Sequence, residues 1–286
     1  MVERIKRALE LARAERELAR QGLPPVTAPI GGAAAATLSQ DTTGRLVRSR
    51  ELVPDKSWLQ RERILMPGLT SSTVGGGAVA AQGYKMLRTQ VLQRMQARGW
   101  NTLALMSPTP GDGKTLTAIN LAIAISADVG HSALLVDFDL RRPSVAPRLG
   151  IVDEIGPGIE TCLAGETPIG EVFTRLVGYE RLMFLCAGKP VLGSSELLAA
   201  AKTRAIVQEL KAQYADRIVL FDLPPVLGGD DAVAFAPQVD AVLLVIAEGH
   251  TKTEDISRTF ELLRDKPVVG TVLNRSRSDF GAEYAY

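Results

Sequence analysis

A short apolar strand that runs into a glycine turn and straight on into an apolar helix restricts a chain to a few α/β folds. Residues 102–127 have this form. Thr102–Met106 reads as the strand, and Pro110-Gly111-Asp112-Gly113 is the turn. From Thr115 the helix carries Leu116, Ile119, Leu121, Ile123 and Ile125 around most of its circumference, as in one packed against a sheet. The turn ends in Gly113-Lys114-Thr115, the tail of a phosphate-binding loop, yet the strict pattern G-x-x-x-x-G-K-S/T wants glycine where Pro108 stands. Two readings compete: a nucleotide site, or a glycine-rich turn that contains a lysine. A phosphate loop needs backbone amides free of Cβ obstruction and a helix N-terminus behind them. Gly111 and Gly113 supply the first and the helix supplies the second. Lys114 adds a cation for the β- and γ-phosphates and Thr115 a hydroxyl for Mg2+, so the nucleotide reading is preferred.

Beyond this unit, apolar runs alternate with helical patterns. The runs are Ala133–Val136, Leu182–Cys186, Ile218–Phe221, Ala241–Ala247 and Val268–Leu273; the helical patterns include Ser195–Tyr214 and Glu254–Arg264. Strands apolar throughout belong to a parallel sheet covered on both faces. The expectation is an α/β, doubly wound, mostly parallel sheet, whose ligands sit at the C-terminal ends of its strands. Two of those ends carry acids. ALLVDFDLRRP places Asp137 at a strand end with Asp139 one strand period on, and RIVLFDLPP ends in Asp222. Carboxylates converging on a phosphate loop can hold Mg2+ and accept a proton from a nucleophile.

Composition narrows the alternatives. The 286 residues hold Lys+Arg 33 against Asp+Glu 32, a net charge of +1, so no basic field argues for nucleic acid. Cys162 and Cys186 lack metal or redox spacing, and His131 and His250 flank no nucleophile motif. No apolar run approaches the roughly 20 residues of a membrane span, which points to a cytoplasmic protein without a transmembrane segment of its own. The chain divides into a predicted amphipathic helix over 1–21, a predicted flexible linker over 22–77, and an α/β domain over 78–286 that ends in the tail 279–286, DFGAEYAY. The domain opens on a helix with Tyr84, Leu87, Val91 and Met95 on one face, stopped by Gly99.

From about Gln82 onward the chain resembles the bacterial tyrosine kinases of the capsule and exopolysaccharide type, P-loop proteins related to partition and division-site ATPases; its N-terminal segment also has the family's general character. Four blocks carry the resemblance. Ser107 to Thr115 fits the form S-x-x-P-G-x-G-K-S/T, and Leu134 to Arg141 matches three apolar residues followed by D-x-D-x-R. IVLFDLPPVLGGDD is similar to the family's Walker B block, and GTVLNR to its last strand. The resemblance implies transfer of the ATP γ-phosphate to C-terminal tyrosines, here Tyr284 and Tyr286. It implies that Lys114 and the loop (Pro110, Gly111, Asp112, Gly113, Thr115, Leu116) hold the phosphates, with Arg141, Asn274 and Arg275 as further nucleotide contacts. Asp137 is the implied base, assisted by Asp139, with Thr115, Asp137 and Asp222 about Mg2+. A membrane-embedded polysaccharide chain-length or copolymerase protein is the implied activator, placing the kinase at the inner membrane. Two departures stand out. The self-association motif E-x-x-R-x-x-R falls on Gln82, Lys85 and Arg88, keeping its last residue alone, and the tail holds fewer tyrosines than a usual cluster.

The alternative is a partition-type ATPase, a positioning switch without phosphotransfer. Such proteins carry a lysine five residues before the loop lysine, where this chain has Thr109. A third class, a nucleotide-binding module without turnover, is opposed by the intact Asp137, Asp139 and Asp222.

Overall fold

The computed structural model describes residues 37–40, 46–66, 76–213 and 217–276. Among them nine strands form one sheet: β1 Thr37–Gln40, β2 Leu46–Leu52, β3 Thr102–Met106, β4 Ser132–Asp137, β5 Phe173–Leu176, β6 Leu182–Leu185, β7 Arg217–Asp222, β8 Ala241–Ala247 and β9 Val268–Asn274. Their order is β1-β2-β5-β6-β4-β7-β3-β8-β9. From β6 to β9 every pairing is parallel. β5 runs antiparallel to β6 and carries β2 as its parallel neighbour.

The fully apolar strands are apolar because each face packs on its own core. Along β3, Leu103 and Leu105 point into one core and Ala104 and Met106 into the other. The first core is roofed by α2 (Gly76–Gln96) and α3 (Lys114–Ser126), through Val91, Met95, Ile119 and Ile123. The second lies under α5 (Ile159–Ala164), α6 (Ser194–Ala199), α7 (Ala201–Gln213) and α8 (Asp231–Phe235). Its centre is the trio Phe138, Phe221 and Phe235, with ring centroids 5.1–5.4 Å apart. The doubly wound expectation holds, and β3 and β8 fall on their expected residues. β9, at the sheet edge, alternates in burial and is not apolar throughout.

Three expectations are corrected. The stretch read as a linker contains β1, β2 and α1 (Lys56–Arg61). Averaging composition over 22–77 hid a segment whose order comes from backbone pairing of Ser49–Leu52 with Phe173–Leu176, far downstream. The single helix expected over Ser195–Tyr214 is two, because Ala200 is extended (φ −64°, ψ 153°). β5 carries Thr174 and Arg175 and shows no apolar run, which is why it was not anticipated. The predicted helix over 1–21 and the tail with Tyr284 and Tyr286 lie outside the described residues.

Candidate nucleotide-binding site

The C-terminal ends of β3, β4 and β7 meet at one cavity of about 430 Å³. Lys114, Thr115, Asp139, Arg142 and Ser144 line it, with Pro224 and Pro225 from the segment after β7. The loop after β3 takes the shape its glycines permit: Gly111 and Gly113 have φ of 86° and 91°, a region that other residues enter only with strain. At Gly113 a Cβ would stand 1.9 Å from Asn274 Nδ2, so the position has no room for a side chain.

Lys114 heads α3 and is 6% exposed. Its Nζ lies 2.5 Å from Asp222 Oδ1 and 3.9 Å from Asp139 Oδ2. Thr115 Oγ1 donates to Asp222 Oδ2 at 2.7 Å and lies 2.9 Å from Ser144 Oγ. Asp222, at the end of β7, thus receives the lysine on one oxygen and the threonine on the other. Asp137, in register with it at the end of β4, is buried. Asp137 Oδ2 accepts the backbone N–H of Ser144 at 3.0 Å and of Val145 at 2.9 Å, and Oδ1 that of Asp139 at 3.2 Å. It therefore caps α4 (Val145–Leu149), whose own N-cap residue Ser144 makes no side-chain cap bond. Burial, and then the Asp222 carboxylate, push the Asp137 carboxyl up to about 7, against the pull of the Val145 amide and of Lys114. Burial also raises Asp139, with Lys114 opposing.

Of the three acids, Asp139 forms part of the cavity wall; Asp137 and Asp222 stand behind it, with no exposed surface. Asp137, the base implied by the resemblance, has no surface on the cavity. Asp139 is the one of these three that lines the cavity, which Asp112 and Asp231 also line with their carboxylates engaged by Thr109, Thr251 and Arg141.

The other expected residues are brought together, several in roles the sequence did not show. Asp112 does not face the cavity with a free carboxylate. Its Oδ2 accepts Thr109 N at 2.9 Å and Thr109 Oγ1 at 3.0 Å, and its Oδ1 accepts Thr251 Oγ1 at 2.7 Å. Asn274 Nδ2 donates to Asp112 O at 2.8 Å, and Arg275, at φ 56°, donates to Gly111 O at 2.6 Å. These two residues tie β9 to the loop, and Arg275 also lines the cavity. Pro110 O lies 3.1 Å from His250 Nε2. Arg141 lines the cavity but is engaged, 2.8 Å from Asp231 Oδ2 and 3.2 Å from Ser194 Oγ. The Leu116 side chain packs on the first core. Sequence reasoning missed Ser144, Asp231 and Thr251. A serine ahead of a short helical pattern was the one available signal, for Ser144.

The donors suit a hard cation carried in with phosphate: a hydroxyl and carboxylates, all oxygen. Among the described residues no group of three or more His, Cys, Asp or Glu forms a metal cage, so a cation here needs phosphate or water oxygens to complete its shell. A glycine loop at a strand end, an invading lysine and paired strand-end aspartates define a P-loop nucleotide-binding protein.

Residues 103–285 match the CobQ/CobB/MinD/ParA nucleotide binding domain, and the chain belongs to that family. Several of its relatives are named as bacterial tyrosine-protein kinases. It is 28% identical over 208 residues to the tyrosine-protein kinase YwqD of Bacillus subtilis, covering 72% of this chain and 85% of YwqD. It is 30% identical over 243 residues to the succinoglycan biosynthesis transport protein ExoP of Rhizobium meliloti, covering 82% of this chain but 29% of ExoP. Among solved structures, the VpsO kinase domain superposes with a TM-score of 0.59 at 28% identity, over 69% of this chain and 97% of that domain.

Proposed function

We propose that the chain is an ATP-dependent protein-tyrosine kinase acting in exopolysaccharide or capsular polysaccharide synthesis, with Tyr284 and Tyr286 of its tail as acceptors. The observation that carries this reading is the arrangement of Lys114 and Thr115 on Asp222 beside a cavity that Asp139 lines. In this scheme the loop amides and Lys114 would hold the β- and γ-phosphates, and Thr115 with Asp222 would hold the Mg2+ that offsets their charge. Asp139 takes the proton of the tyrosine hydroxyl, which has a pKa of about 10 and needs a base near neutral pH. Asp137 fixes α4 and, with Asp222, sets the charge behind the site. A bound Mg2+ contributes stabilisation of the charge that develops on the transferring phosphoryl group.

The partition-type alternative lacks its signature residue, and the residue in its place is committed elsewhere: Thr109 gives both its N–H and its hydroxyl to Asp112. Activation by a membrane-embedded polysaccharide copolymerase belongs to this reading, supported by the likeness to a protein named for succinoglycan biosynthesis transport.

The test is to incubate the purified chain with ATP and Mg2+ and to map phosphotyrosine by mass spectrometry. Label on Tyr284 or Tyr286 that disappears in Lys114→Ala and in Asp139→Asn is expected. ATP hydrolysis without phosphotyrosine, in the presence of a copolymerase cytoplasmic segment, would sink the kinase reading in favour of the partition-type switch.

A further inference from the structure

The segment before the α/β domain reaches the nucleotide site through one aromatic residue. α1 begins at Asp55, whose Oδ1 accepts the N–H of Ser57 at 2.8 Å and of Trp58 at 3.3 Å. Trp58 Nε1 donates to Arg148 O at 3.0 Å, and the indole covers Gly150, the left-handed residue that ends α4. The fit is close, because a Cβ on Gly150 would come within 2.9 Å of Trp58 Cδ1. One turn on, Glu62 Oε2 accepts Arg148 NH1 at 3.0 Å. The same segment is fastened to the P-loop helix: Asn120 on α3 accepts Leu65 N at 2.8 Å and donates to Arg63 O at 3.0 Å.

The far end of α4 carries the site. Its first amides lie on Asp137 and Ser144 Oγ lies against Thr115 Oγ1, while Arg148, at the end that Trp58 holds, is part of the cavity wall. A helix of five residues has one turn of its own hydrogen bonds, so it moves as a unit; Val145, Ala146 and Leu149 seat it on the first core, and its register there is set by what grips its ends. Asp137 grips one end and Trp58 the other.

We propose that Trp58 is a positioning residue for the nucleotide site, holding α4 so that Ser144 stays in register with Thr115 and Arg148 stays at the cavity wall. Segment 55–66 is on this view part of the kinase unit and no tether, and a partner that pulled on it would be felt at the phosphates. The inference rests on the nucleotide-site reading and does not need the acceptor to be tyrosine.

The test uses the full chain with three variants. Trp58→Ala removes ring and donor, and Trp58→Phe keeps the ring. Val207→Ala, on α7 in the core across the sheet, supplies a general loss of packing. The readouts are the Kd for a fluorescent ADP analogue with Mg2+, kcat and KM for ATP turnover, and hydrogen exchange over residues 143–150. Small displacements remote from the chemistry cost up to about 100-fold. Trp58→Ala is expected to raise Kd about tenfold, to lower kcat/KM by about 10- to 100-fold, and to speed exchange at Ser144 and Val145. Trp58→Phe should fall between it and wild type, and Val207→Ala should leave the three readouts unchanged at a matched loss of Tm. ADP binding by Trp58→Ala within twofold of wild type overturns the proposal, as does an equal loss in Val207→Ala. Wild-type protein that binds ADP, shows the Trp58 effect and makes no phosphotyrosine leaves this inference standing and removes the kinase reading alone.

Discussion

Lys114 and Asp222 face each other inside the site as a buried ion pair, Nζ to Oδ1 at 2.5 Å. Neither has a second strong partner of opposite charge, since Asp139 lies 3.9 Å from the lysine. On the proposed reading nucleotide entry would be an exchange: phosphate oxygens would replace a carboxylate on Lys114, and a cation would replace Lys114 on the otherwise covered Asp222. Breaking such a pair from one side strands a buried charge, at a cost on the order of 3 kcal/mol. Lys114→Met should abolish phosphotransfer and lower the Tm of the nucleotide-free protein. Adding Asp222→Asn to it should restore most of the Tm and none of the activity. A double variant no more stable than Lys114→Met would show that the pair does not hold the empty site together.

The raised Asp137 carboxyl makes the nucleotide-free protein sensitive to pH. Its pKa is about 7 in the fold and about 3.9 in the unfolded chain. The unfolded state thus releases the proton first. The stabilising contribution is complete below about pH 4 and is lost as pH rises through about 7. Asp139, also raised by burial, acts with the same sign. The Tm without nucleotide should fall by roughly 5 °C between pH 5 and pH 8, and Asp137→Asn should flatten that slope. Mg2+ and ADP should stabilise more at pH 8 than at pH 6, because the ionised acids are the form that holds a cation. Differential scanning fluorimetry across the series reads all three, and a Tm that rises from pH 5 to pH 8 would contradict the assignment.

The central sheet and the loop were legible because their signals are local. Apolar runs such as Ala241–Ala247 report burial on both faces, and Gly113-Lys114-Thr115 reports a backbone shape. What was not legible depends on partners distant in the chain. Nothing in the sequence around Ser49 announces pairing with Phe173, and nothing in KSWLQR announces that Trp58 covers Gly150. Asp112 was readable as a loop residue, but its bond to Thr251 joins positions 139 apart. The depths of the two aspartates were not legible for a related reason. Strand periodicity places Asp137 and Asp139 on one side, and the depth of each below the surface is set by the helices packed over them.

Gly113 tests the loop without touching its charges. An alanine there must hold φ near 91°, at a cost of about 1–2 kcal/mol, and must displace Asn274 from Asp112 O. Gly113→Ala should weaken binding of a fluorescent ADP analogue by more than tenfold while the far-ultraviolet circular dichroism stays that of wild type. Adding Asn274→Ala removes the 1.9 Å clash and leaves the backbone strain, so affinity should recover in part. Full recovery would mean that the clash alone, and no left-handed requirement, keeps glycine at this position.

Thr251 offers the last test, of whether the loop is held from the neighbouring strand end. Its Oγ1 accepts the N–H of Ala247 at 2.8 Å and donates to Asp112 Oδ1 at 2.7 Å, so one hydroxyl joins the end of β8 to the loop. Thr251→Val keeps the shape and removes both bonds, leaving Asp112 Oδ1 buried without its donor, at about 1–3 kcal/mol. That strain falls on Asp112, whose other oxygen sets Thr109 and whose carbonyl receives Asn274. The expected result is a KM for ATP raised about five- to tenfold with a smaller change in kcat, because the phosphate cradle loosens while the acids around Lys114 stay in place. Thr251→Ser, which restores the hydroxyl, should return KM to within twofold of wild type. A valine variant with unchanged KM would assign the shape of the loop to Asn274 and Arg275 alone.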